Sequence, residues 1–375
     1  MEGLVLEEDE MTMSNIINDD FSYIFKEASY ELAQLQGKKI LIVGGAGFLG
    51  YYLVQSLASY SKEAATKLSI TVIDNFKRGY PAWLKHLAER DEVNILELDI
   101  TIPITQSLPP YDFIIHAASI ASPTFYRKYP IETMDANVNG LRNLLDFAIS
   151  SRDKTGKSIV NFLYFSTSEI YGDPDSDNIP TKETYRGFVS CTGPRASYDE
   201  PKRYGETMSV NFAKVHDLPI SIARPFNNYG PGLNINDGRV IPDFAKNIIS
   251  NEDIILLSDG SPKRTFCYVA DAIIGYLKIL ISGHKGESYN IGIEEPEVSI
   301  KELALMMQDE ARKLFDYKGE LRFANSKDEH YLTDNPNRRC PSIKKARDHL
   351  GFNPSISLSD GLNKSLRWYA QNSEV

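Results

Sequence analysis

The chain has 375 residues, 42% hydrophobic and 25% charged, which is enough apolar mass for one large core or two unequal lobes and too ordinary a mixture for global disorder. A formal net charge of −10 argues against a nucleic-acid binder, which needs a basic face to displace counterions, yet leaves room for an anionic small ligand held by locally placed arginines. Cys191, Cys267 and Cys340 form no CxxC pair, no apolar run reaches the roughly 20 residues of a membrane span, and the acidic start MEGLVLEEDEMTM does not read as a signal peptide, so the expectation is a cytoplasmic protein with no disulfide, metal site or membrane anchor.

In chain order, residues 1–37 form an acidic arm. It is poorly patterned at first, and then Phe21, Ile24, Phe25, Ala28 and Leu32 recur at the spacing of a short amphipathic helix, packed on the body or on a partner. From Lys39 onward, apolar strands alternate with helical stretches. The strands are KILIV (39–43), SITVID (69–74), VNILELD (93–99), DFIIHAA (112–118), VNFLYFS (160–166) and PISIARP (219–225). Between them, 131–149 reads as a helix, with Ile131, Met134, Val138, Leu141, Leu145 and Ile149 along one side. Such alternation predicts an α/β protein whose parallel sheet is doubly wound, with helices on both faces and right-handed crossovers. Past Gly230 the rhythm loosens into turn-rich segments. The expected division is therefore a first lobe over 38–230 and a smaller C-terminal α/β lobe over 231–375, with some segments exchanged between them.

Directly after KILIV comes Gly44-Gly45-Ala46-Gly47-Phe48-Leu49-Gly50, which opens a helix and satisfies both GxGxxG and GxxGxxG spacings. Glycines there allow a tight turn and let a pyrophosphate approach the unpaired N–H groups of the helix start. The pattern alone is weak evidence. It gains force from the strand before it, the helix after it and the acid at the end of the next strand, Asp74, which is placed to accept hydrogen bonds from ribose hydroxyls. A carboxylate at that point repels a 2′-phosphate and so favours NAD over NADP, with Arg78 nearby as the one contrary sign.

Farther along, Ser166-Thr167-Ser168-Glu169 ends an apolar strand, and Tyr198-Asp199-Glu200-Pro201-Lys202 contains Tyr-x-x-x-Lys, which puts Tyr198 and Lys202 one turn apart on a helix face. A free tyrosine titrates near ~10, and a neighbouring ammonium together with a cationic nicotinamide ring favours the phenolate that a general base requires. Tyr198 is then the base for a hydroxyl proton, and Thr167 orients the same oxygen. Proline is tolerated in a first helical turn, so Pro201 predicts a helix that begins near Asp199 or Glu200.

Several further segments together resemble the extended short-chain dehydrogenases and, within them, the UDP-glucuronate decarboxylases (UDP-xylose synthases). They are HAASIASPTFY (116–126), STSEIYGDP (166–174), GPRASYDEPKR (193–203), NNYGPGLNINDGRV (227–240), KRTFCYVAD (263–271) and DNPNRRCPSIKKARDHLGF (334–352). The resemblance covers about Lys38 to Trp368. It departs from the family pattern at Pro201, where the family has glycine, and the arm lies outside it. It implies a Rossmann-type domain binding NAD through Gly44, Gly47, Phe48, Leu49, Gly50, Asp74, Asn75, Asp99, Ile100, Ala117, Tyr198 and Lys202. It implies a nucleotide-sugar lobe with Ser122, Tyr126, Asn228, Arg239, Arg264 and Tyr331 beside the substrate, and a homodimer built through the helices near 131–149 and 199–215. Thr167, Ser168, Glu169, Tyr198, Lys202 and Arg264 are the implied catalytic set. In this family a 4,6-dehydratase carries Asp-Glu after the threonine and a simple 4-epimerase carries small residues, whereas Ser168-Glu169 matches the decarboxylase pattern. The expected function is thus decarboxylation of UDP-glucuronate. The alternatives are a nucleotide-sugar 4-epimerase or 4,6-dehydratase, and, more remotely, a non-catalytic NAD-binding regulator, which would be expected to have lost the tyrosine or lysine.

Overall fold

The computed structural model describes residues 16–326 and 333–372, and all six expected strands are present in it. They are β1 (Lys39–Val43), β2 (Ser69–Asp74), β3 (Val93–Glu97), β4 (Phe113–His116), β5 (Asn161–Phe165) and β6 (Ile220–Pro225). Four short strands follow, β7 (Asn228–Tyr229), β8 (Ile254–Leu256), β9 (Lys263–Arg264) and β10 (Cys267–Tyr268), before β11 (Ser288–Ile291) returns to the sheet beside β6. The result is a seven-stranded parallel sheet in the order β11-β6-β5-β4-β1-β2-β3. The seventh strand is not among the expected ones because its sequence, SYNI, carries a polar residue at its centre. Asn290 is fully buried there, and its side-chain amide donates to the carbonyls of Thr181 and Ser342 while its carbonyl oxygen accepts from Tyr171.

Helices cover both faces. In chain order they are α1 over 16–27, α2 (Ser29–Gln34), α3 (Phe48–Glu63), α4 (Ala82–Leu87), α5 (Pro123–Lys128), α6 (Pro130–Thr155), α7 (Ala196–Val215), α8 (Val240–Ile249) and α9 (Val269–Ser282). On one face Leu141, Leu144 and Leu145 of α6 and Met208 and Ala213 of α7 pack against Leu41, Ile114, Phe162 and Ile222 of the strands. On the other, α3 and α9 join the sheet to a larger core that continues into the C-terminal lobe. That lobe adds β12 (Val298–Ser299), α10 (Ile300–Leu314), β13 (Leu321–Phe323), β14 (Arg338–Arg339), α11 (Lys344–Leu350) and α12 (Leu358–Gln371). Because α9 and β11 lie on the sheet, a cut at residue 230 does not separate the two lobes: the exchange of segments includes a whole strand and its helix.

Two expectations about helices change. Helix α6 is longer than 131–149: Pro130 sits at its first position, and Gly156 ends it in the left-handed conformation at φ 70°. Helix α7 begins at Ala196, not near Asp199 or Glu200, so Pro201 lies in its interior. The first turn is secured by the Arg195 carbonyl, which accepts from Tyr198 N at 2.9 Å and Asp199 N at 3.0 Å. Burial of Tyr198, Asp199, Pro201 and Lys202 holds the helix through the missing N–H.

The arm folds back on the chain's own body: Phe21, Ile24, Ala28 and Leu32 are buried in the large core, while residues 1–15 lie outside the described residues. Among the described residues no helix is long and apolar enough to cross a membrane.

Candidate active site

Strand order reverses between β1 and β4, so the chain leaves their carboxyl ends in opposite directions and opens a crevice there. A cleft of about 2050 Å³ begins at this point and extends into the C-terminal lobe. That is more than a single small ligand occupies and is room for a dinucleotide with a second nucleotide.

The glycine turn forms its floor. Gly44 takes φ +83°, and a Cβ there would meet the Ala118 backbone at 2.4 Å; a Cβ on Gly50 would meet the Gly45 carbonyl oxygen at 2.2 Å. The fold itself therefore requires both glycines. Gly47 is different, since its Cβ would meet only the Gly44 oxygen at 3.5 Å, an ordinary contact. Gly45 packs against the Val72 side chain, so of the two spacings it is the GxxGxxG set that lines the cleft. Gly47 caps α3 without a side chain, and Phe48, Leu49 and Gly50 bring the free N–H groups of the first turn to the cleft wall. This is the cradle a diphosphate needs, so the residues fit NAD.

Asp74 stands at the tip of β2, where Oδ2 accepts from Ala46 N at 3.0 Å and Oδ1 from Phe76 N at 3.1 Å, which leaves further lone pairs for hydroxyl donors. Asn75, Asp99, Ile100 and Ala117 line the same cleft. Arg78, the contrary sign in the sequence, pairs with Asp237 at 3.7 Å and lies over the Phe125 ring, while its charge still acts on Asp74.

Tyr198, Lys202 and Thr167 converge on one wall. Lys202 Nζ donates to the Phe165 carbonyl at 2.6 Å and lies 5.9 Å from the Tyr198 ring centre. Thr167 hydrogen-bonds to Tyr198 through its hydroxyl. The electrostatics depart from the expected picture. Burial pushes Tyr198 up to about 12 against the lowering pull of Thr167, and burial pushes Lys202 down to about 7. The ammonium is therefore not what makes the phenol acidic, because a lysine in so dry a position gives up much of its own charge.

Glu169 is the second residue of the 3-10 turn that follows Thr167, and its Oε2 accepts from both Arg195 and Arg339. Burial opposes its charge, but Arg195, Arg339 and Arg264 outweigh burial and hold it below the ordinary carboxylate range. Behind it Asp199 lies 3.6 Å from Arg195, pushed up to about 8 by burial and by the Glu169 charge. Arg264 donates to the carbonyl oxygens of Lys263 and Pro336 and to Asn335, and among the described residues no carboxylate lies within ion-pair distance of it. Burial and the neighbouring Arg339 push it down to about 9, the mark of a cation in a positive surround. Arg195 and Arg339 are absent from the expected site. They stand within the segments GPRASYDEPKR and DNPNRRCP, but Glu169, the partner they share, is 26 positions from Arg195 and 170 from Arg339, so no local spacing marks the set.

The remaining expected substrate residues divide. Asn228 and Arg239 line the cleft, with Arg239 Nε paired to Asp237 at 2.5 Å and its guanidinium over the Phe48 ring. Ser122 and Tyr126 do not line it. The Ser122 hydroxyl is fully buried and donates to the Asp237 carbonyl, and Tyr126 lies flat behind Tyr198, with ring centres 5.1 Å apart and planes 6° from parallel. Tyr331 falls outside the described residues.

With this geometry in hand, the chain can be set beside known proteins. The family described as the NAD dependent epimerase/dehydratase family matches residues 40–292. The chain is 36% identical over 324 residues to UDP-glucuronic acid decarboxylase 3 of Arabidopsis thaliana, covering 86% of each protein. It is 34% identical over 343 residues to UDP-glucuronic acid decarboxylase 1 of Xenopus tropicalis, covering 92% of this chain and 75% of that one. Its backbone matches the crystal structure of UDP-glucuronic acid 4-epimerase from Bacillus cereus, in complex with UDP-glucuronic acid and NAD, with a TM-score of 0.72, 25% identity and coverage of 89% of this chain and 99% of that one.

Proposed function

Since the chain belongs to the NAD dependent epimerase/dehydratase family, we propose that it is an NAD-dependent UDP-glucuronate decarboxylase, producing UDP-xylose by oxidation at C4, loss of carbon dioxide and re-reduction. One observation carries the choice of reaction. An ionised Glu169 pinned by Arg195 and Arg339 stands in the same cleft as Arg264, a guanidinium with no acid partner among the described residues. A hydride and proton shuttle alone has no use for this cationic set, whereas a substrate carboxylate does.

NAD, held by the glycine turn and Asp74, would supply the hydride acceptor and donor for C4. Tyr198 takes the C4 hydroxyl proton, and Thr167 keeps that oxygen in line. With a ketone at C4, the C6 carboxylate is β to a carbonyl, so carbon dioxide departs and leaves its bonding pair in an enolate, whose oxygen faces the Tyr198 and Thr167 hydroxyls. Arg264 receives the carboxylate. C5 takes up its proton from solvent water, which the ionised Glu169 beside Arg264 orients by accepting a hydrogen bond, and Tyr198 gives its proton back to the C4 oxygen on re-reduction. Arg239 and Asn228 hold the nucleotide end of the substrate.

Incubation with UDP-glucuronate and NAD should release carbon dioxide and yield a UDP-pentose. A product that keeps its carboxylate would overturn this reading. The resemblance to the Bacillus cereus 4-epimerase supplies a second one on the same substrate, and an unchanged product mass would establish it. We also propose a homodimer through α6 and α7, on which Ile131, Tyr204 and Val215 are exposed.

A further inference from the structure

Asp20 precedes the segment matched by the family, which starts at residue 40, yet it is completely buried. Its carboxylate accepts from Tyr52 Oη at 2.7 Å, from Tyr268 Oη at 2.6 Å and from Lys364 Nζ at 2.5 Å. The three donors belong to α3, to β10 and to α12, elements from both lobes. Each sits next to the cleft wall. Tyr51 precedes Tyr52, Trp368 lies one helical turn beyond Lys364, and β10 pairs with β7, which carries Asn228. The Tyr51 and Trp368 rings meet edge-on at 6.3 Å, closing that side of the cleft between α3 and α12. Two further ties run from the same N-terminal segment to α9: Tyr23 Oη donates to Asp271 at 2.6 Å, and Glu31 pairs with Lys278 at 3.3 Å.

We propose that the N-terminal helices are a built-in clamp, with Asp20 as its positioning residue, that locks the phosphate-binding helix α3 to the C-terminal lobe and so tightens the binding of NAD. A carboxylate in a dry interior is tolerated only while its donors are in place. Any movement of α3 away from α12 or β10 must therefore break a charge-assisted bond at Asp20, and that cost is added to the cost of releasing the dinucleotide. The proposal rests on reading the cleft as an NAD site and not on which sugar is processed.

The test is the dissociation constant for NAD, measured by calorimetry on the full chain, for the parent and for Asp20→Asn, Tyr268→Phe and Leu145→Ala. Leu145 packs on the opposite face of the sheet and serves as a stability control. Asp20→Asn should weaken NAD binding by about tenfold and Tyr268→Phe by about threefold, while Leu145→Ala lowers the melting temperature and leaves the affinity within about twofold. Affinities for Asp20→Asn and Tyr268→Phe that match the parent would overturn the clamp, as would an equal loss in Leu145→Ala. If Asp20→Asn does not fold, Tyr268→Phe decides alone. A parent that binds no NAD removes the premise, whereas a parent that binds NAD but releases no carbon dioxide removes only the choice of reaction.

Discussion

Tyr198 shows how far a motif goes toward defining a catalytic group. Its spacing from Lys202 and its partner Thr167 agree with the sequence, but the proton affinity of both residues is set by burial. Because Tyr198 is pushed up to about 12, the protein alone keeps it protonated at neutral pH, and turnover should climb with pH between 6 and 8 as the deprotonated fraction grows. Tyr198→Phe should lower kcat by about a thousandfold while NAD still binds, which a calorimetric titration beside the rate assay will check.

Lys202 makes a separate statement about stability. Its pKa falls from 10.5 to about 7 on folding, so between those values the unfolded chain binds the extra proton and stability rises with pH. The penalty is fully present below about pH 7. Melting Lys202→Met beside the parent at pH 6.5 and pH 9 should show the variant relatively more stable at the lower value. The gap should close by at most ~3 kcal/mol at the higher one, since a tenfold difference in proton affinity is worth about 1.4 kcal/mol.

At the scale of elements, the glycine turn separates fold from function within four positions. Gly50→Ala must move the Gly45 carbonyl and should lower the melting temperature, taking NAD binding with it. Gly47→Ala meets nothing closer than 3.5 Å in the protein, so it should melt like the parent yet bind NAD about tenfold more weakly, because the added methyl stands in the diphosphate cradle. A Gly47→Ala protein with parental affinity would mean the turn is only a turn. Helix α7 illustrates the opposite case, in which a local rule gives way. Pro201 argues for a helix start one or two residues before it, but the backbone bonds to the Arg195 carbonyl and the burial of the proline with Tyr198, Asp199 and Lys202 carry the helix back to Ala196.

For the whole molecule, the exposed apolar residues Ile131, Tyr204 and Val215 on α6 and α7 are expected to be covered by a second copy of the chain, so light scattering at micromolar concentration should give the mass of two chains. The alternation of apolar runs and amphipathic helices, the phosphate turn and the Tyr-x-x-x-Lys pair were all legible in the sequence. Each is written within a short segment, where backbone period and spacing impose it directly. Tertiary structure alone decided the rest. The polar strand β11 joins the sheet only because Asn290 finds its partners among residues over 50 positions away, Arg339 reaches Glu169 across 170 positions, and Asp20 gathers donors from three elements. Contacts between distant segments leave no periodic trace, since the free energy that selects them depends on burial and charge that exist only once the chain has closed upon itself.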